Sequence, residues 1–312
     1  MQKLDGQLIT VLGGGGFVGR YVVQRLLARG VRVRIAQRTP RAATFLKPLG
    51  GLGQTQFVTA DVRDPASIAR AVKGSDAVIN LVGAFDNMQA VQADGAGHVA
   101  AAAKAAGVRA LVHISAIGAD RDSASAYGRS KGDGEAAVRA AFPDAAILRP
   151  SIVFGREDQF INRFAGMIRM APVIPVVAPH AKFQPVYVGD VADAVVAALG
   201  DTVSGQTFEL GGPQVLTMGE LQRWIADAIG RKPLFVDVPD VVAGGLASGF
   251  GWAPGAPITK DQWLMLQNDN VVANGAAGLA ELGVAPTSLA AVADDWLVQY
   301  RRHGRFAQLA SR

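Results

Sequence analysis

The sequence has no cysteine. Disulfides and thiolate-held metals are therefore excluded, a usage that fits a reducing compartment. Its four histidines, His98, His113, His180 and His303, are widely spaced and form no HxxxH pair. That spacing argues against a metal site. No apolar run reaches the length of a membrane-spanning helix; residues 241–250, the most apolar late stretch, are short and contain three glycines. The first apolar run starts at Leu8, which leaves no room for a signal or transit peptide, so the chain is expected to stay where it is made. Aromatic residues are only 7% of the chain, and neither a recognition motif nor a stacking platform for nucleic acid is present. Charged residues are also sparse, at 18% against 50% hydrophobic, which describes a chain with a core and not a disordered one.

Glycine, by contrast, is plentiful and placed. Residues 8–12 form an apolar run, and Gly13-Gly14-Gly15-Gly16-Phe17-Val18-Gly19 follows before a second apolar segment. Strand, glycine turn and helix in this order suit a dinucleotide: glycine lets a phosphate approach the backbone, and the helix start offers N–H groups with a partial positive charge. The plainer reading is a flexible turn. Strands and helices then alternate up to residue 150. This predicts an α/β fold, a doubly wound Rossmann-type parallel sheet, with a smaller mixed C-terminal domain. The texture changes near residue 155. We expect a dinucleotide-binding domain over 1–155 and a C-terminal domain over 156–312, with segments near 182–210 packing back on the first. In that second part, helices are expected over 158–170, 191–199, 217–229 and 288–301, and a strand over 182–188.

The end of the second strand lacks the carboxylate that binds an adenosine ribose 2′-hydroxyl. It reads Ala36-Gln37-Arg38-Thr39. A guanidinium suits a 2′-phosphate, so Arg38 predicts NADP(H) over NAD(H); otherwise it is a surface arginine. Arg32, Arg34 and Arg41 belong to the same basic cluster. Asp61, followed by Val62, either accepts from the adenine amino group or caps the helix near Pro65. Tyr127 and Lys131 form a YxxxK pair on one helix face. An ammonium there is expected to lower the phenol's pKa, as a proton-donating tyrosine requires. A late basic cluster, Arg301, Arg302, His303 and Arg305, is either solvated surface or a site for an acidic partner or anionic membrane.

The glycine turn, Asp61-Val62 and Tyr127/Lys131 together resemble the extended or atypical short-chain dehydrogenases/reductases. Longer segments narrow this. Phe17-Val18-Gly19-Arg20-Tyr21-Val22-Val23, Val78-Ile79-Asn80-Leu81-Val82-Gly83 and Tyr127-Gly128-Arg129-Ser130-Lys131 are similar to the nucleotide-binding accessory subunit family of respiratory complex I. So are Pro150-Ser151-Ile152-Val153-Phe154-Gly155-Arg156-Glu157-Asp158, with residues 154–160 the most specific stretch, and Gln184-Pro185-Val186-Tyr187-Val188. The resemblance implies a bacterial member that holds NADPH as a structural ligand without independent turnover. It implies a peripheral place on the cytoplasmic side of the inner membrane, among complex I subunits of the peripheral arm and in contact with lipid. It also implies cofactor contacts at Gly13, Gly15, Gly16, Phe17, Val18, Gly19, Arg38, Asp61, Val62, Leu81, Val82, Gly83, Ser115, Tyr127, Lys131 and Pro150.

Active relatives carry a hydroxyl just past the fifth strand. Here the usual position falls on Ala116 or Ile117, with Ser115 one or two residues early. Tyr127 and Lys131 are then expected to persist as cofactor ligands, a vestige of catalysis. The rival expectations are a free-standing NADPH-dependent reductase or epimerase and a sensor of NADP occupancy. Residues 241–252 are either a docking or lipid-facing surface or a buried core helix.

Overall fold

A computed structural model describes residues 4–250 and 258–306. The chain begins with β1 (Leu8–Leu12), α1 (Phe17–Leu27) and β2 (Arg32–Gln37). A 3-10 segment, Pro40–Leu49, leads to β3 (Thr55–Thr59), α2 (Pro65–Val72) and β4 (Ala77–Asn80). A π turn at Gln89–Asp94 opens into α3 (Gly95–Ala105), followed by β5 (Ala110–Ile114), α4 (Ala126–Ala141) and β6 (Ala146–Pro150). Next come β7 (Val153–Phe154), α5 (Ile161–Met170), β8 (Val173–Val177), β9 (Lys182–Phe183), β10 (Val186–Tyr187) and α6 (Val188–Ala197). The chain continues through β11 (Thr207–Leu210), β12 (Leu216–Thr217), α7 (Met218–Ala228), β13 (Leu234–Val238), α8 (Asp240–Phe250) and α9 (Lys260–Leu266).

Two compact units result. Among the described residues the first takes in 4–150, 188–210 and 273–285; the second takes in 151–187, 211–250, 258–272 and 286–306. The first is built on a seven-stranded parallel sheet of order β11-β6-β5-β4-β1-β2-β3. Strand order reverses between β1 and β4, and in open α/β sheets ligands bind at such a switch point, beyond the carboxyl ends of the strands. The strands near it are apolar on both faces, as a sheet covered by helices requires: Ile9, Val11, Val78 and Ile79 are fully buried. Thr10, equally buried, resolves its hydroxyl on Ser75 Oγ at 2.7 Å. Arg149 on β6 forks onto Glu135 of α4 at 2.8 and 2.7 Å and lies 3.5 Å from Glu209 of β11, which ties three elements together.

The second unit packs Phe154, Ile161, Ile168, Ile174, Leu221, Ile225, Trp296 and Leu297 into its own core. Thr217 and Glu220 form a reciprocal capping box at the start of α7, as their spacing predicts. Three expected elements differ. The expected helix over 158–170 starts later, at Ile161, because the Asp158 carboxylate accepts from the Ile161 and Asn162 N–H groups and ends the preceding turn. The expected strand over 182–188 is split into β9 and β10 by Pro185, which has no N–H to donate. The expected helix over 288–301 is broken into Leu289–Val292, Asp294–Leu297 and a 3-10 turn at Val298–Tyr300. Tighter bonds interrupt it, such as Trp296 N–H to Ala293 O and Arg301 N–H to Val298 O.

Of residues 241–252, Ala243 and Ala247 are buried while Val241 and Val242 are exposed, so α8 has one covered face and one open face. Trp252, Pro254 and Pro257 lie outside the described residues. No helix among the described residues is long and apolar enough to cross a membrane.

Candidate dinucleotide site

The glycine turn closes on itself. Gly13 has φ 77°, a conformation that only glycine adopts freely, and its N–H donates to Ala36 O at 2.9 Å. Gly16 N–H donates to Gly13 O at 2.9 Å, and Gly16 then serves as the N-cap of α1 with no side chain over the helix start. Gly15 N–H donates to Gln37 Oε1 at 3.0 Å, while Gln37 Nε2 donates to Thr39 O at 2.7 Å. Gln37 thus pins the turn to the end of β2, a role that its type and position in the sequence do not announce. The first turn of α1, with Phe17 and Val18, carries no acidic residue. Its N–H groups have no earlier carbonyl to bond within the helix, which leaves an anion-receptive end.

The glycines are not equivalent. A Cβ on Gly19 would stand 2.7 Å from the backbone of Gly14 and closer still to Gly13 O. A Cβ on Gly16 would meet only Gly13 O, at 3.1 Å. Gly19 is therefore the packing glycine, where α1 touches the turn, and Gly16 has open space for a ligand.

At the adenosine end Arg38 is exposed and carries no carboxylate partner among the described ion pairs. Arg32 and Arg34, of the same cluster, are engaged elsewhere: Arg32 with Gly6 O, Arg34 with Gln56, Ala71 O and Lys73 O. Asp61 does not cap α2; Asp64 does, accepting from Ala66 N–H at 3.0 Å. Asp61 is held instead by Arg63, at 2.6 Å, a pairing that no motif in the sequence announces. Hydrogen bonds from Arg63, with a contribution from Arg38, hold the Asp61 carboxyl down to about 2. Val62 is buried, packed on Gly95, so its side chain is core.

Beyond β4, Leu81 N–H donates to Leu12 O and Val82 N–H to Asn80 Oδ1, which sets Leu81 and Val82 against Gly13. Gly83 lies beside Lys131 Nζ and Gln92 Oε1. Pro150 ends β6 and accepts from Ile117 N–H at 3.1 Å. Ser115 is 2% exposed, whereas Ala116 and Ile117 are partly exposed and have no hydroxyl.

Lys131 is 4% exposed and donates to Ile114 O at 3.3 Å. Burial lowers its pKa to about 8, partly opposed by Glu135. The expected lowering of the tyrosine is overturned. Tyr127 lies with Lys131 Nζ 5.9 Å from its ring centre and Phe85 stacked on it at 5.2 Å. Burial pushes the phenol up to about 12. Tyr127 is therefore a protonated donor at any working pH. His113, bonded to Asn80 Nδ2 at 3.1 Å and buried, is lowered to about 3 and stays neutral.

Three buried polar atoms around Lys131 have no hydrogen-bond partner: Gln92 Oε1, Ser115 Oγ and His113 Nε2. Buried polar groups normally find one. Orphaned atoms at the strand ends, together with the glycine cradle, fit a ligand that carries a phosphate at one end and hydroxyls or an amide at the other. No group of three or more metal-ligating side chains occurs among the described residues.

A depressed lysine pKa has a pH consequence. The folded value, about 8, lies below the ordinary 10.5, so the buried ammonium costs stability below pH 8, by about 3 kcal/mol. That cost disappears as pH rises from 8 toward 10.5. A ligand that accepts from the ammonium offsets the same cost. Nucleotide affinity is expected to be flat below pH 8 and to fall above it, and Lys131→Met is expected to remove that slope. Calorimetric titration across the range checks this.

The sheet order, the switch point and the glycine cradle define a Rossmann-type NAD(P)H-binding protein with the fold of the short-chain dehydrogenases/reductases. A family model described as NAD(P)H-binding matches residues 13–163. The structure of Escherichia coli NADPH-dependent quinone oxidoreductase QOR2 with NADPH superposes with a TM-score of 0.73 at 21% identity, covering 91% of this chain and 97% of that one. The chain is 37% identical to mouse "NADH dehydrogenase (ubiquinone) 1 alpha subcomplex subunit 9, mitochondrial", over 99% of its own length and 84% of the relative's. It therefore belongs to the family of that complex I subunit. A more distant likeness, 31% identity over 80% of each chain, is to the ceramide reductase of Caulobacter vibrioides.

Proposed function

We propose that the chain is a non-catalytic, NADP(H)-binding accessory subunit of a bacterial respiratory NADH:quinone oxidoreductase. It sits on the peripheral arm, at the cytoplasmic face of the inner membrane. The observation that carries this reading is the 37% identity to a complex I subunit across nearly the whole chain. The site supports the rest. The turn from Gly13 through Gly15, Gly16, Phe17 and Val18 holds the pyrophosphate, with Gly19 packing α1 against it and Val62 in the core behind; Arg38 takes the 2′-phosphate and Asp61 the adenine side, with Leu81, Val82 and Gly83 lining the path. Ser115, Tyr127, Lys131 and Pro150 surround the nicotinamide end. Bound NADP(H) supplies binding free energy to the folded state, about 4 kcal/mol when present at a thousand times its Kd. The absence of a hydroxyl at Ala116 and Ile117 leaves a substrate carbonyl without its orienting donor.

Purification of a tagged chain from gently solubilised membranes tests the assignment. Complex I subunits are expected to accompany it in fixed ratio; a chain that runs alone contradicts it.

A second reading is favoured by the intact pair of Tyr127 and the buried Lys131, and by the likeness to a reductase. In that reading the chain is a free-standing NADPH-dependent reductase. Tyr127 Oη donates the proton to a carbonyl and Lys131 orients the nicotinamide ribose. NADPH oxidation by a carbonyl compound, lost on Tyr127→Phe, would establish it.

A further inference from the structure

In the second unit β8 and β13 form an isolated parallel pair, with Leu234 opposite Val173 and Val236 opposite Pro175. Alternation sends Ile174 and Val176 into the core, at 1% and 0% exposure. The other face is apolar and open: Val173 is 47% exposed, Leu234 64% and Val236 46%. Met170, just before β8, is 80% exposed. Three large apolar side chains displayed on this ribbon, with Met170 at the end of α5 beside them, are costly in water and mark a contact surface.

The chemistry beside this strip is one-signed. A cleft of about 300 Å³ opens where the two strands begin, bounded by Arg169, Arg231 and Lys232 and, among the described residues, by no acid. Arg231 Nε is buried there without a hydrogen-bond partner. The nearby acids Asp237 and Asp240 follow Val236 in the chain, toward the opposite end of the ribbon. Of the basic residues that the sequence suggests for such a role, Arg301 is already committed, to Asp294 at 2.8 Å and Ala228 O at 3.1 Å.

We propose that this ribbon is a membrane contact in which the cleft of Arg169, Arg231 and Lys232 receives the phosphate of an anionic phospholipid. Met170, Val173, Leu234 and Val236 then lie against the acyl boundary. Cations at headgroup depth beside exposed apolar side chains are the combination that holds a protein on an anionic bilayer surface. The surface is of use to a chain stationed at a membrane, and so rests on the complex I reading.

Co-sedimentation of the full-length chain with vesicles tests it. Binding to phosphatidylglycerol–phosphatidylcholine vesicles is expected, with little binding to phosphatidylcholine alone and weakening as salt is raised. The Arg169→Gln/Arg231→Gln/Lys232→Gln variant is expected to lose the preference for phosphatidylglycerol, by about tenfold or more. Leu234→Asn/Val236→Asn, at exposed positions, is expected to weaken binding to the phosphatidylglycerol-containing vesicles by a similar factor. Variants that bind like the parent overturn the proposal. So does a parent chain that ignores vesicles yet binds inorganic phosphate in the cleft, which would make the cleft a site for soluble anions. Failure to co-purify with complex I while vesicle binding persists would count against the complex I reading and leave the lipid site standing.

Discussion

Gly19→Val is expected to abolish nucleotide binding and to lower stability by about 3 kcal/mol or more. The reason is contact between backbones: even a methyl group at Gly19 would press to 2.7 Å from the Gly14 backbone. Relief requires moving either α1 or the turn, and the turn is fixed by Gly13 N–H to Ala36 O and Gly16 N–H to Gly13 O, both at 2.9 Å. Gly16→Val is the informative contrast. Gly16 has φ −74° and ψ −176°, extended backbone that valine adopts readily, and its only close neighbour is Gly13 O at 3.1 Å. That variant is expected to fold, with a loss below about 1 kcal/mol, and yet to lose nucleotide because its side chain fills the phosphate cradle. Thermal unfolding with and without NADPH separates the two. Gly16→Val should show no shift on adding nucleotide, whereas Gly19→Val should melt early in both. A Gly19→Val chain that loads nucleotide normally would mean that the turn is not the cradle.

Arg38→Glu is expected to weaken NADPH binding by about 100-fold and to leave NADH nearly unchanged. Arg38 is exposed at the end of β2, and no carboxylate occupies the position that recognises a ribose 2′-hydroxyl. Asp61, an acid that feels the Arg38 charge, is already bridged by Arg63 at 2.6 Å, so Arg38 is left to a ligand's charge. Reversing that charge replaces attraction with repulsion of a dianionic phosphate, while NADH offers nothing to repel. Equal losses for the two nucleotides would show that Arg38 does not read the phosphate.

The alternating order of the first unit could be read from the sequence because each strand is a short apolar run bounded by glycine, proline or a helix. The glycine turn was legible for the same reason, since its spacing sits between such a run and a helix. Contacts set by the assembled fold were not. Gln37 reaches back over 22 residues to Gly15. Whether Ser115 faces the ligand or the core depends on the pleat at the end of β5. The Tyr127 phenol moved opposite to expectation because the sequence shows the lysine at i+4 but not the burial or the Phe85 ring stacked on it. In the second unit, Pro185 splitting a strand was visible as a residue, yet its effect depended on which N–H the strand needed. The exposed strip on β8 and β13 joins positions about 60 residues apart, and no local pattern announces it.

On the proposed reading the fold carries NADP(H) as a resident ligand. Denaturing the purified chain and identifying the released nucleotide by chromatography and mass spectrometry tests it directly. NADP⁺ or NADPH in near-equal amount to protein is the expected result. Release of NAD(H), or of no nucleotide from a chain that also fails to bind NADPH, would contradict it.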